Sequence, residues 1–386
     1  MRSGNQALVI ENAQVVTPCG TLEGASVKIE AGLISEIKEG EIKSGAFRLN
    51  AHRGFVLPGF VDLHSDAIEK EIEPRPGSFF PNNIAIIELD KKLAACGITT
   101  IFHALSFAEG EIGVRSNKMA AEIITEIGRL APQLQIKAKV HARFEITDSL
   151  AVPYLEQLLR DGKIHLLSVM DHTPGQGQFK EVATFKKYFG TVYERTEEEL
   201  DKIIDKKILA QATMKSQIEQ IARLCNSLDI PLASHDDDSA EKIRWLKEMG
   251  IAISEFPVNL EALKAAQEAG IYVCLGAPNA LRGNSRAGNL SAREAIFSGL
   301  GDIICSDYTP MAILHVVFML HRLGNLPLHQ SVNMVSLNPV RAAGLADRTG
   351  SLEAGKEADL ILVDASGEVP RIVKTFVSGK EVYSTC

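Results

Sequence analysis

Between residues 60 and 307 the chain alternates short apolar runs with amphipathic stretches, and it offers eight such runs. Strand-like segments fall at Phe60–His64, Thr99–Ala104, Lys139–Glu145, His165–His172, Pro231–His235, Ile253–Phe256, Ile271–Gly276 and Asp302–Asp307. Helical periodicity predicts helices over Asn117–Leu130, Val152–Leu159, Glu197–Leu228, Ala240–Glu248, Leu260–Ala269 and Ala292–Ser298. Strands joined by helices pair in parallel, and their right-handed crossovers place the helices outside the sheet. Eight such units close the sheet on itself, so the expected fold class is α/β, a TIM-like (β/α)8 barrel. The stretch between His172 and Cys225 exceeds an ordinary connection and reads as a helical insertion near the barrel mouth.

The two ends of the chain follow a different pattern. Short strands read at Ala7–Ile10, Ala13–Thr17, Ser26–Glu30 and Leu33–Lys38, and again at Arg371–Val377 and Lys380–Tyr383, with turns at Cys19-Gly20 and Ala31-Gly32. Both ends therefore predict β-structure. The simplest arrangement joins them into one small β-sandwich domain, residues 1–58 with 345–386, around a catalytic barrel of residues 59–344. A length of 386 residues suits a barrel with a smaller companion, and 45% hydrophobic residues suffice for a large core.

A net charge of −8 argues against a nucleic-acid binder, which would carry a basic face, though a small basic pocket for an anion remains compatible with it. The six cysteines (Cys19, Cys96, Cys225, Cys274, Cys305 and Cys386) are scattered without a C-x-x-C pair, and read as reduced structural thiols. No apolar h-region opens the chain, and no apolar run reaches the ~18–20 residues of a membrane span. The expectation is a soluble cytoplasmic protein with no membrane or nucleic-acid partner, and a homo-oligomer is left open.

Chemistry-bearing residues collect at the C-terminal strand ends, where barrels build active sites. His64 and Asp66 are two apart and so leave one face of the first strand. Glu145, His172, His235 and Asp307 end later strands, in the strings Arg143-Phe144-Glu145, Met170-Asp171-His172-Thr173, Ala233-Ser234-His235-Asp236-Asp237 and Cys305-Ser306-Asp307-Tyr308. Any single histidine among them could be a hydrogen-bonded structural residue. Six candidate ligands at equivalent ends of different strands point instead to a metal centre. Imidazole nitrogens mixed with carboxylate oxygens suit zinc, with manganese or iron as alternatives. A carboxylate such as Glu145 can bridge two divalent ions ~3.5–4 Å apart. Asp307, on the last strand, is placed to take a proton from an activated water; its structural alternative is a helix N-cap before Thr309-Pro310. Asp171, Asp236 and Asp237 read as orienting partners of neighbouring imidazoles or as solvated groups. His103 lies in a run that continues apolar and is set aside.

Arginines in Gly- and Pro-rich segments give a second signal. Arg75 sits in Glu73-Pro74-Arg75-Pro76-Gly77, and Asn279, Arg282 and Arg286 lie in the loop expected from Gly276 to Asn289 after the seventh strand. Guanidinium forks match phosphate oxygens, and loops after the late strands of a barrel are frequent phosphate sites. These four residues are the candidate substrate-binding set, and ordinary loop salt bridges are the alternative.

Pro58-Gly59-Phe60-Val61-Asp62-Leu63-His64 and the tail from Gly350 to Asp364 resemble the amidohydrolase superfamily. That resemblance implies a metal-dependent barrel with a β-sandwich built from both termini. Asp66 stands where commoner members carry a second histidine, and Glu145 where they carry a bridging modified lysine. His172 and His235 fall one strand earlier than in typical members. His64-Ser65-Asp66, Pro74-Arg75-Pro76, Met170-Asp171-His172-Thr173-Pro174-Gly175, Gly276-Ala277-Pro278-Asn279, Arg282-Gly283 and Ser306-Asp307-Tyr308 are similar to one subfamily, the diphosphatases of the carbon–phosphorus lyase pathway. This implies hydrolysis of α-D-ribose 1-methylphosphonate 5-triphosphate to the 5-phosphate and diphosphate, using divalent metal. Arg286 departs from a histidine expected there. The competing functions are hydrolysis of a cyclic amide or amidine by the same centre, and a metal-free scaffold on the same fold.

Overall fold

The computed structural model describes residues 7–109, 114–173, 182–183, 186, 196–284, 290–324 and 326–385. Strands β1 (Leu8–Thr17), β2 (Gly20–Glu30), β3 (Leu33–Glu39), β4 (Phe47–Asn50) and β5 (Phe55–Pro58) come from the N-terminal side. The barrel strands are β6 (Phe60–Ser65), β7 (Ile98–Phe107), β8 (Lys137–Glu145), β9 (Leu166–Met170), β10 (Leu232–His235), β11 (Ile251–Glu255), β12 (Tyr272–Gly276) and β13 (Ile303–Cys305). Strands β14 (Leu360–Asp364), β15 (Arg371–Val377) and β16 (Lys380–Ser384) complete the chain.

β6 to β13 form one eight-stranded parallel sheet in sequence order. Every residue of β6, β7 and β9 is buried. Strands covered on both faces lose the polar–apolar alternation of half-exposed strands, which is why these segments read as continuous apolar runs. The barrel closes between its first and last strands. Ser65 bridges Asp307 in parallel, Asp66 N donates to Asp307 O (2.9 Å) and Asp307 N donates to His64 O (3.0 Å). Asp62 reinforces this seam by accepting from Ser306 N at 3.1 Å.

The helices follow their sequence signals. Asn117–Leu130 is capped by the Ser116 side chain, which accepts from Met119 N, and it buries Ala120, Ile123, Ile124, Ile127 and Leu130. These positions recur at three- and four-residue intervals, one face of a helix. Glu197–Ser227 opens with a reciprocal capping box between Thr196 and Glu199, and supplies the helix of the long segment after the fourth barrel strand. Asn82–Ala95 was not singled out by periodicity; it buries Ala85, Ile86, Leu89 and Leu93 against the barrel.

Both termini meet in one sheet ordered β16-β15-β14-β5-β1-β2-β3, with β4 on β1. The sheet curls over: Ile34 N donates to Lys356 O and Ala358 N to Gly32 O, so the β3 edge meets the segment leading into β14. Ile10, Val27, Ile34, Val56, Leu360 and Phe376 fill the space between. This is the small sandwich expected from the termini. A single residue separates its β5 from the first barrel strand. Gly59 follows β5 directly, donates its N–H to Asp359 O (2.9 Å), and packs so tightly that a Cβ would lie 2.3 Å from Thr99 Cγ2. Among the described residues, no helix is long and apolar enough to cross a membrane.

Candidate metal centre at the barrel mouth

The C-terminal strand ends bring the candidate ligands together inside the barrel. His172 Nδ1 lies 3.4 Å from Glu145 Oε2, and His172 Nε2 lies 3.9 Å from Asp236 Oδ2. His235 Nδ1 is 3.0 Å from the same Asp236 oxygen. His64 stacks beside His235 at a centroid distance of 5.5 Å, and His172 meets His235 edge-on at 5.9 Å. Asp66 and Asp307 adjoin His64 through the closing main-chain bonds described above. The six expected ligands thus share one region, and each is buried or nearly so.

The backbone that aims these groups is unusual. Asp236, Phe256 and Asp307, each just beyond the end of a barrel strand, have φ of 52°, 52° and 57°. Non-glycine residues pay for left-handed conformations, and such strain collects at functional sites. Asp307 therefore does not act as the N-cap considered above. The helix Ala312–Gly324 begins later, and the main chain of Asp307 bonds to β6.

Burial sets the charge states. Asp307 is pushed up to about 8, by desolvation first and then by the negative charge of Asp66. Asp66 is raised to about 6 by burial, with repulsion from Glu69 adding to it. Two carboxyls so placed resist ionising together. Burial also raises Asp236, yet the adjoining His235 and His172 outweigh it and hold that carboxyl below its ordinary value. His64 is driven well below its ordinary value by desolvation and by the guanidinium of Arg143.

Several neighbours were not singled out by sequence. Glu255 ends β11 and its Oε1 lies 3.0 Å from His64 Nδ1. His141 and Arg143 stand four and two residues before Glu145 on β8, so strand alternation turns all three to the same side. His141 is held by Leu63 O at 3.0 Å and Ser168 Oγ at 2.9 Å. Arg143 Nη2 lies 3.3 Å from His235 Nε2. Arg115 joins Asp66 (3.6 Å) and Glu69 (2.9 Å), and Lys207 reaches Glu145 Oε1 at 3.2 Å. The signal for Glu255 was available, a carboxylate closing an apolar run. Arg115 and Lys207 had none, because they arrive from a loop and a helix far away in sequence.

Other expected residues are placed differently. Asp237 is an internal brace, accepting from Ser234 Oγ and Ser254 Oγ at 2.5 Å each. Asp171 accepts from Thr173 N. Arg282 does not lie in a loop: Ala277–Arg282 is a short helix, begun by Pro278 and stopped by Gly283 at φ 82°. Its Nη1 donates to Tyr308 Oη at 2.6 Å. The Asn279 amide is occupied by the main chain, donating to Leu290 O and accepting from Ala292 N at 3.0 Å each. Arg75 is exposed in a turn closed by Ser78 N to Arg75 O. Arg286 lies outside the described residues.

Among the described residues, two groups have donor atoms all within 4.8 Å of one another: His172 with His235 and Asp236, and His64 with His141 and Glu255. The first fits a divalent cation well. His235 Nδ1 and Asp236 Oδ2 are buried without hydrogen-bond partners among the described residues, although they nearly touch. Two imidazoles and a carboxylate are the donors preferred by zinc, manganese or iron. The second group fits less well, because both ring nitrogens of His141 are already engaged.

A closed parallel barrel with histidines and carboxylates at its C-terminal mouth defines a class of metal-dependent hydrolases, and comparison with known proteins agrees. The chain belongs to the amidohydrolase family, whose pattern it matches over residues 169–382. Across 384 residues it is 32% identical to the alpha-D-ribose 1-methylphosphonate 5-triphosphate diphosphatase of Escherichia coli (strain K12), covering 98% of this chain and 99% of that one. It is 21% identical over 402 residues to an imidazolonepropionase of Thermoplasma volcanium, covering 94% and 91%. Among solved structures, an N-acetyl-D-glucosamine-6-phosphate deacetylase of Mycobacterium smegmatis superposes with a TM-score of 0.67 at 14% identity, over 98% and 100% of the two chains. A dihydropyrimidinase of Brevibacillus agri gives 0.61 at 15% identity, over 98% and 95%. These two share the fold.

Proposed function

We propose that this hydrolase cleaves alpha-D-ribose 1-methylphosphonate 5-triphosphate to the 5-phosphate and diphosphate, within the barrel of residues 59–344 and with one or two divalent ions, zinc first among them. The observation that carries the reading is the identity of 32% to the Escherichia coli diphosphatase along nearly the whole of both chains. Cationic side chains interleaved with the carboxylates at the mouth support it, since a triphosphate needs positive charge around its oxygens.

His172, His235 and Asp236 would hold one ion, and His64, Asp66 and Glu145 would complete the centre. A bound divalent ion supplies Lewis-acid polarisation of a phosphoryl oxygen and makes water more acidic. Asp307 accepts a proton from the water as its oxygen bonds to phosphorus. One P–O–P bridge breaks and the electron pair leaves on diphosphate. For this step Asp307 must be ionised, a state that a cation bound beside it would favour. Arg282, held by Tyr308, and Arg75 would grip the outer phosphates, and Arg286 is added from its sequence position.

Metal-loaded protein should release diphosphate from ribose 5-triphosphates far faster than it hydrolyses hydantoin-like or purine-like compounds. Faster turnover of the amide or amidine compounds would overturn this assignment in favour of a deaminase or cyclic amidase.

A further inference from the structure

Arg143 is a buried cation in an unexpected place. It projects from β8 with only 5% exposure, its Nη1 lies 3.3 Å from Ser106 Oγ, and its Nη2 lies 3.3 Å from His235 Nε2. Its Nε has no hydrogen-bond partner and no carboxylate pairs with its guanidinium among the described residues. Desolvated guanidinium groups are normally matched by an anion, because an unpaired buried charge is costly.

Arginine has five N–H donors and no acceptor, so in the contact with His235 the ring nitrogen Nε2 must accept. A neutral imidazole accepting at Nε2 carries its proton on Nδ1. A metal ion requires an unprotonated nitrogen. If the ion takes Nε2 it occupies the place of the Arg143 N–H. If it takes Nδ1, the ring proton moves to Nε2, and two donors then face each other. Either coordination breaks the contact.

We propose that Arg143 and a divalent cation are alternative occupants of His235, so that metal loading releases a buried guanidinium to bind an oxyanion of the substrate. The second half rests on the phosphorylated substrate proposed above; the first half does not. Arg143 is thereby a positioning residue in the metal-free protein and an anion ligand in the loaded one. Ser106, which shares the guanidinium, gives it a fixed pivot.

The test begins with unsubstituted protein stripped of metal. The ring ¹⁵N shifts of His235 should report the Nδ1–H tautomer, and an Nε2–H tautomer overturns the proposal. Calorimetric titration with Mn²⁺ should show roughly 10-fold tighter binding in Arg143→Gln, the scale at which partners of a ligating histidine act. Unchanged or weaker binding overturns it. Arg143→Lys keeps the charge while shortening its reach and should tighten Mn²⁺ binding in the same direction, which serves if the glutamine variant fails to fold. Inorganic diphosphate should bind the Mn²⁺-loaded parent and bind Arg143→Gln at least ~10-fold more weakly. Competition at His235 with diphosphate binding unaffected by the substitution would overturn the anion half alone. Failure of the triphosphate assay with the tautomer and Mn²⁺ results intact would overturn only the substrate assignment.

Discussion

Asp62 offers the sharpest test of the electrostatics at the barrel seam. It is fully buried on β6, and its Oδ1 accepts from Ser306 N at 3.1 Å and His64 N at 3.3 Å, tying the first strand to the last. Oδ2 has no partner among the described residues. Burial, only partly offset by the bonds from Ser306 and His64, raises the carboxyl to about 7 from an ordinary 3.8. Between those two values the folded state binds a proton that the unfolded state has lost, so stability falls as pH rises through the window. At ~1.4 kcal/mol per unit the penalty above pH 7 amounts to about 4 kcal/mol at most. Asp62→Asn keeps the Oδ1 acceptor and removes the ionisation, but buries an NH₂ without an acceptor at a cost of ~1–3 kcal/mol. The substitution should therefore destabilise at pH 4, where Asp62 is protonated anyway, and stabilise by ~1–3 kcal/mol at pH 8. Urea unfolding of metal-stripped parent and variant, run in parallel from pH 4 to 8, measures the difference. A difference that stays flat across this range would refute the argument that the seam buries an ionisable group at a cost.

Three further outcomes are expected. Asp307→Asn should retain bound metal and fold normally while kcat falls by roughly 10²-fold or more, the scale of a lost general base; undiminished kcat would remove Asp307 from proton transfer. Arg282→Ala frees Tyr308 and should lower kcat/KM for a triphosphate by ~10-fold, with little change in unfolding midpoint; an unchanged kcat/KM assigns the arginine to structure alone. Gly59→Ala places a methyl 2.3 Å from Thr99 Cγ2 and 2.8 Å from Thr99 Cβ, too close for any rotamer to relieve. It should cost ~1–3 kcal/mol in denaturant unfolding, and Thr99→Gly added to it should recover part of the loss.

The barrel was legible because each of its strands is a short apolar run set off by helices with their own start signals. Ser116, Thr196, Ser239, Asn259 and Ser291 all cap helices in the structure. Ala277–Arg282 was missed because Pro278 and Gly283 were read as loop residues, whereas here they are the first-turn proline and the left-handed stop of a helix. In the site, residues at strand ends were legible because polar groups stand out there. His141 and Arg143 were hidden mid-strand, where a reading of strand ends gives no reason to look. From sequence Asp236 reads as an orienting partner of a neighbouring imidazole or as a solvated group, and on a regular strand it would face away from His235. Its φ of 52° breaks that alternation and swings the carboxylate back beside the imidazole.

The shared sheet of the two termini also fixes an order of events. On one side β5 pairs with β1, and on the other with β14, where Val56 lies opposite Leu362. About 300 residues separate those partners, roughly 15–60 s of synthesis at ~5–20 residues per second. For that interval the outer edge of β5 has no native neighbour while the entire barrel is being made. The small sheet is therefore the last element to close, and until then its unfinished edge is open to mispairing.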